Sequence, residues 1–124
     1  MKSHSTLAVS LVLSVMSANA VAAEETLTAG GLEELCRSSS PSDKLGCRLY
    51  ILGVAQGIGL GINIAGGKTN GGRPCVPDNI SAAALELAVK MKMGQDLTAF
   101  PDDRKLEAPG LVGAILVSTF PCRK

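Results

Sequence analysis

Four cysteines, Cys36, Cys47, Cys75 and Cys122, set the strongest limit on how this chain can fold. They are even in number and lie in a chain that reads as exported, a setting in which cysteines are normally paired rather than free. Two disulfides are therefore expected. A zinc site built from four thiolates draws its ligands from close pairs two to four residues apart, and even Cys36 and Cys47 are spaced far more widely than that. Four cysteines allow three connectivities. A short helical segment from Gly31 to Cys36 runs into a turn, Ser38 to Asp43, and Cys47 opens the next helical run, so Cys36 and Cys47 lie at adjoining ends. Cys75 precedes a helix that starts near Ser81, and Cys122 follows the last helix, so an antiparallel hairpin brings those two together as well. This favours Cys36 with Cys47 and Cys75 with Cys122, with the other two connectivities left open. In the chain-entropy picture the shorter ring contributes about 3 kcal/mol and the longer about 4.

Export is read from residues 1–23. Lys2 supplies a positive start, Thr6 to Val15 a short apolar run, and Val21-Ala22-Ala23 the small residues that a signal peptidase recognises. Cleavage before Glu24 is expected, with Ala18-Asn19-Ala20 as the alternative site. Ser10, Ser14, Ser17 and Asn19 dilute the run, whereas a membrane-spanning helix needs about 20 predominantly apolar residues. No cysteine follows either site to carry a lipid. The expectation is a periplasmic protein with no stable membrane anchor, made of a signal peptide, 1–23, and one domain, 24–124.

Removal of that leader narrows the chemistry. It takes away Lys2, so the remaining Lys and Arg balance the 11 Asp and Glu, and it takes away His4, the one histidine in the chain. A nucleic-acid partner is disfavoured because phosphate binding needs a concentrated basic face. Without an imidazole, nucleophilic triads, Cys-His pairs and most zinc sites are unavailable. No catalytic residue, metal or cofactor is expected, and the chain does not read as an enzyme. Glu33-Glu34 and Asp102-Asp103 are adjacent acids, but sequence neighbours point in different directions on a helix, so neither makes an acid/base pair. Tyr50, Phe100 and Phe120 are the only aromatics, beside 14 glycines. A domain this small with so little bulk is marginal on apolar burial alone, which is a further reason to expect covalent staples.

From Cys47 to Leu60 the chain is apolar on nearly all sides after Arg48, which predicts a buried central helix. Gly53 and Gly57 share a face and are expected to let a neighbouring helix approach closely. The stretch from Gly66 to Pro74 is a glycine-rich loop. It is not a phosphate loop, because Ile62 stands where the first glycine belongs and Pro74 forbids the following helix. Nor is Gly59-Leu60-Gly61 a dinucleotide fingerprint, since Ile64 replaces the third glycine. A third helix is capped by Asp78 or Ser81, carries Leu85, Ala88, Val89 and Lys92 at helical spacing with Glu86 and Lys90 paired outward, and ends at Gly94. Gln95 to Asp103 then forms a polar connection. The last helix starts near Ala108, where Pro109 suits a first turn, and carries Val112, Leu116, Val117 and Phe120. No strand alternation appears. The fold class is all-α, a small disulfide-linked domain of about four helices.

Three blocks together resemble the Rap/Tai family of immunity proteins associated with type VI secreted peptidoglycan amidases. They are Cys47-x-x-Tyr50-x-x-Gly53-x-x-x-Gly57, then Cys75-Val76-Pro77 before a capped helix, then Phe100-Pro101 through Arg104, Leu111-Val112 and Ala114 to the closing Phe120-Pro121-Cys122. With Leu35-Cys36 they cover nearly all of the chain after the leader. Pro109 and the looseness of the loop from Gly66 to Gly72 depart from the family's pattern. The resemblance implies an all-helical, disulfide-linked periplasmic domain, often a homodimer, that binds a cognate cell-wall amidase effector and blocks its active site. The alternative is a general envelope stress chaperone or small-ligand binding protein without a cognate toxin. Inhibitory plugs are usually exposed loops on a rigid scaffold. On that ground the expected partner-binding residues are Gln95, Asp96, Leu97, Thr98, Asp102 and Asp103 in the polar connection, and Lys68, Asn70 and Arg73 in the glycine-rich loop.

Overall fold

A computed structural model describes residues 25–67 and 72–122. The expected leader lies outside the described residues. So do Lys68 and Asn70. Four α-helices follow in order, α1 (Ala29–Arg37), α2 (Pro41–Ile64), α3 (Ala82–Ala99) and α4 (Ala108–Thr119), with a 3-10 turn, Pro101–Lys105, between the last two. Among the described residues there is no strand, only isolated antiparallel bridges between Thr28 and Glu107 and between Pro74 and Pro121.

Local chemistry explains most boundaries. The Thr28 hydroxyl accepts from the Gly31 amide at 3.1 Å and starts α1; Ser81 does the same for α3 through Ala84. Pro109 falls within the first turn of α4, where its missing N–H costs nothing. Two boundaries differ from expectation. The turn after α1 is shorter than Ser38 to Asp43, because Pro41 opens α2 instead of delaying it, and Ser38 donates to Asp43 at 2.6 Å across the junction. Gly94 does not end α3, which runs on to Ala99. An interior glycine costs about 1 kcal/mol relative to alanine, and the burial of Met93 and Leu97 on either side of it outweighs that.

The core draws on every helix: Leu32 from α1, Ile51 from α2, Val89, Met93 and Leu97 from α3, and Val112, Ile115 and Leu116 from α4 are all buried. Disulfides join Cys36 to Cys47, across the α1–α2 turn, and Cys75 to Cys122, with Cα separations of 5.0 and 4.9 Å. The second is reinforced by the Cys75 amide, which donates to the Phe120 carbonyl at 2.7 Å. It ties the segment before α3 to the end of α4.

The largest correction concerns α2. It is long and apolar enough by length and composition to cross a membrane, yet α1, α3 and α4 all pack against it, and only Cys47 and Ile51 are fully buried. Leu45, Leu49, Leu60 and Ile64 are 55, 58, 61 and 79 % exposed. Gly53 and Gly57 admit no neighbouring helix: among the described residues nothing lies within 4 Å of a Cβ built on either. A second correction is Glu86, expected to face outward. It is buried and accepts from Arg48 Nε of α2 at 2.6 Å, with Lys90 at 3.8 Å. The pair fastens α3 to α2.

Candidate partner-binding surface

The segment from Phe100 to Glu107 is held by Arg104, which the sequence offers only as part of a motif and with no sign of an anchoring role. Arg104 donates from Nε and Nη2 to both carboxylate oxygens of Glu33, at 2.9 and 3.2 Å, and from Nη1 to the Leu97 carbonyl at 2.7 Å. The planar guanidinium matches a carboxylate in this two-pronged way. It joins α1, the end of α3 and the 3-10 turn, and Glu33 is buried beneath it. Backbone bonds fix the flanks: the Ala29 amide donates to Leu106 O and the Ala108 amide to Leu27 O, each at 2.8 Å. The close approach is written into Gly30, where a Cβ would stand 3.2 Å from Arg104 Cβ and 3.3 Å from its carbonyl oxygen.

On this frame the polar connection turns out to be mostly helix. Gln95, Asp96, Leu97 and Thr98 belong to α3. Leu97 is fully buried, so it is a core residue and cannot touch a partner. Asp96 is bonded to Lys92, and the Thr98 hydroxyl donates to the Gly94 carbonyl at 2.7 Å. Asp102 and Asp103 sit in the 3-10 turn, where the Asp103 amide donates to Phe100 O at 3.0 Å and Asp102 pairs with Lys105 at 3.1 Å. Arg73 is exposed beside the Cys75–Cys122 disulfide. It therefore belongs to the far end of α4 from the 3-10 turn, about 18 Å away by the rise of a 12-residue helix. The expected sites thus divide into two places.

Residues missed by the sequence reading extend the first of these places. Leu87 and Met91 are more than half exposed and share the outward face of α3 with Gln95 and Thr98, at spacings of four, four and three. Phe100, 63 % exposed, caps the ridge where α3 stops. The result is an apolar ridge that ends in an acidic, rigidly anchored turn. Its exposure was not legible because an apolar residue in a helix carries no mark of which side faces solvent until its neighbours are placed.

A shallow, mainly apolar cavity of about 280 Å³ lies between α2 and the segment leading into α3, lined by Leu52, Ala55 and Gln56 on one side and Val76, Pro77, Asp78, Ile80 and Leu85 on the other. Tyr50 has its phenol pushed above its ordinary pKa, first by burial and then by the nearby Glu107 carboxylate. Among the described residues no three His, Cys, Asp or Glu side chains are grouped so as to hold a metal ion.

Comparison with protein families matches residues 28–122 to the family described as Rap1a immunity proteins. No curated protein and no solved structure gives a match.

Proposed function

This chain belongs to the Rap1a immunity protein family, and on that premise we propose that the secreted effector it neutralises is a peptidoglycan amidase of a type VI system, met in the periplasm and blocked by occlusion. Membership implies immunity to a secreted effector and binding of that cognate partner. The amidase, the periplasm and the mode of inhibition are our reading. The observation that carries it is the span of the match, which takes in all four helices and both disulfides.

Binding rather than chemistry suits the surface. A turn whose backbone is already fixed by Arg104 loses little conformational freedom on entering a cleft, and pre-organisation of that kind favours affinity. The ridge of Leu87, Met91 and Phe100 supplies apolar contact. Asp102 and Asp103 supply charge for orientation. Arg73 would form a separate contact at the other end of α4. A second copy of the chain is the other partner that the family resemblance implies.

The test is inhibition of a purified type VI peptidoglycan amidase from the same genome, followed as release of peptide from purified peptidoglycan. Stoichiometric loss of activity is expected. Met91→Asp and Phe100→Ala should each weaken inhibition tenfold or more with little change in melting temperature. Inhibition that ignores both substitutions would move the site off this ridge, and failure to bind any amidase would remove the reading.

A further inference from the structure

We propose that the Cys75–Cys122 disulfide is a site of thiol–disulfide exchange with a dithiol protein of the Cys-x-x-Cys class. Its opening frees the stretch from Arg73 to Ile80, while Cys36–Cys47 and the four-helix core stay closed. The inference does not depend on which effector the chain binds.

The two disulfides differ in access. Cys36 and Cys47 are 4 and 0 % exposed and belong to the core cluster that includes Leu32 and Ile51. A thiolate reaches them only after α1 and α2 part. Among the described residues Cys75 is exposed and Cys122 half-buried. Exchange requires the attacking thiolate to touch sulfur, so an exposed disulfide is the labile one of such a pair. Cys75 is the sulfur that takes the attack. It is the more exposed of the two, and the Arg73 carbonyl stands 3.4 Å from Cys122 Sγ, setting partial negative charge beside that sulfur.

The exchange balances as two displacements. A thiolate of the dithiol protein bonds to Cys75 Sγ as the bond to Cys122 Sγ breaks, and the electron pair leaves on Cys122, which takes up a proton. The second thiolate of the reductant then attacks its own partner sulfur in the mixed disulfide and releases Cys75 as a thiolate, which is protonated in turn. Two electrons and two protons enter this chain, and the reductant ends as a disulfide.

The fold makes that opening local. From Arg73 to Ile80 no residue is buried; Val76 and Ile80 lean on the core only in part. Besides the disulfide, the Cys75 amide donates to the Phe120 carbonyl at 2.7 Å, within the isolated bridge of Pro74 and Pro121. The two ends of the stretch are held separately. Gly72 lies so close to α4 that a Cβ there would stand 2.8 Å from Val117 Cγ1, and Ser81 caps α3. A segment with so few buried contacts sits at the low-stability end of a fold. Through Val76, Pro77, Asp78 and Ile80 it also makes one wall of the 280 Å³ cavity against Leu52, Ala55 and Gln56 of α2. Reduction therefore loosens that wall and leaves the packing of Leu32, Ile51 and Val89 in place.

The experiment uses the full chain after the leader with both disulfides formed. It is treated with dithiothreitol, quenched with N-ethylmaleimide at intervals and mapped by peptide mass. A species labelled at Cys75 and Cys122 should form at least about tenfold faster than one labelled at all four cysteines. A Cys-x-x-Cys protein whose second cysteine is replaced by alanine should be trapped on Cys75. In the paired variant Cys75→Ser with Cys122→Ser, hydrogen exchange at the amide of residue 75 should rise about tenfold or more, while the amides of Ile51 and Val89 keep their protection. Labelling of all four cysteines together, or of Cys36 and Cys47 first, would overturn the selectivity, and a trap on Cys122 would overturn the choice of sulfur. A paired variant that is unfolded, or one whose exchange at residue 75 is unchanged, would overturn the local release.

Discussion

The junction where α1 meets the 3-10 turn and the outward face of α2 are built on opposite plans. At the junction a buried carboxylate, a guanidinium with three hydrogen bonds and two reciprocal backbone bonds leave nothing loose. On α2 Leu45, Leu49, Leu60 and Ile64 stand more than half exposed, and among the described residues nothing lies within 4 Å of a Cβ built on Gly53 or Gly57. One region spends its chemistry on holding a short segment still; the other keeps apolar surface uncommitted. In a protein whose work is binding, both are useful. A fixed turn suits insertion into a cleft, and open apolar surface suits contact with a flat partner.

The sharpest way to break this contrast is to substitute on the two sides of α2, two residues apart. Ile51→Ala opens a cavity in the core and should cost about 3 kcal/mol. Leu49→Ala removes a side chain that the fold leaves in solvent and should change stability by no more than about 0.5 kcal/mol. Urea denaturation of the dilute, oxidised monomer checks both. Equal losses would mean that the outward face is covered.

Next comes the junction. Arg104→Ala leaves the Glu33 carboxylate only Arg37 at 3.9 Å and frees the Leu97 carbonyl, and it should cost about 2 kcal/mol, below the 3 to 5 kcal/mol of a fully buried pair because the arginine side chain is 38 % exposed. The same substitution should weaken inhibition of the effector by more than the stability loss explains, since the turn loses its anchor. If stability falls and inhibition does not, the turn is not the inserted element.

Glycine separates the two regions by sign. Gly30→Ala places a Cβ against Arg104 and its backbone and should destabilise by about 1 kcal/mol. Gly53→Ala meets nothing among the described residues and should stabilise α2 by up to about 1 kcal/mol through helix propensity. Melting curves at low concentration read both.

How much of this was legible in the sequence follows the same division. The cap at Ser81, the proline in the first turn of α4 and the adjoining ends that carry Cys36 and Cys47 are local signals, and the structure has each of them. What failed needed the third dimension. Cys47 to Leu60 is apolar all round, and such a pattern fits a helix buried on all sides as well as one that is apolar on an open face. Glu86 and Lys90 look like an ordinary outward pair until α2 brings Arg48 alongside. Arg104 and Glu33 lie 71 residues apart, and nothing in the spacing of either announces the other. The exposed ridge of α3 was legible only in part: Gln95 and Thr98 read as loop because Gly94 is a helix breaker, and only the placed neighbours show that the burial of Met93 and Leu97 carries the helix through it.

The smallest expected effect lies where the two regions touch. Tyr50 belongs to α2, and its phenol feels Glu107, the residue that leads into α4. Burial first and the Glu107 charge second raise its pKa above the ordinary 10.0. A raised phenol pKa means that ionisation is disfavoured in the folded state. Below about pH 10 the tyrosine is neutral in both states and its contribution to stability is intact. Above that the unfolded chain ionises first, so the contribution is lost as pH rises from 10 through the raised value. Tyr50→Phe should therefore flatten the decline in stability as pH rises above about 10 relative to the parent chain, with no difference between them at pH 7 beyond the loss of the hydroxyl. Lysines titrate in the same window, so the measured quantity is the difference between the two proteins, not either curve alone. Glu107→Gln should remove the smaller part of the same effect. If it removes all of it, the carboxylate rather than burial sets the environment of Tyr50, and α2 is more open at this edge than its packing against α4 suggests.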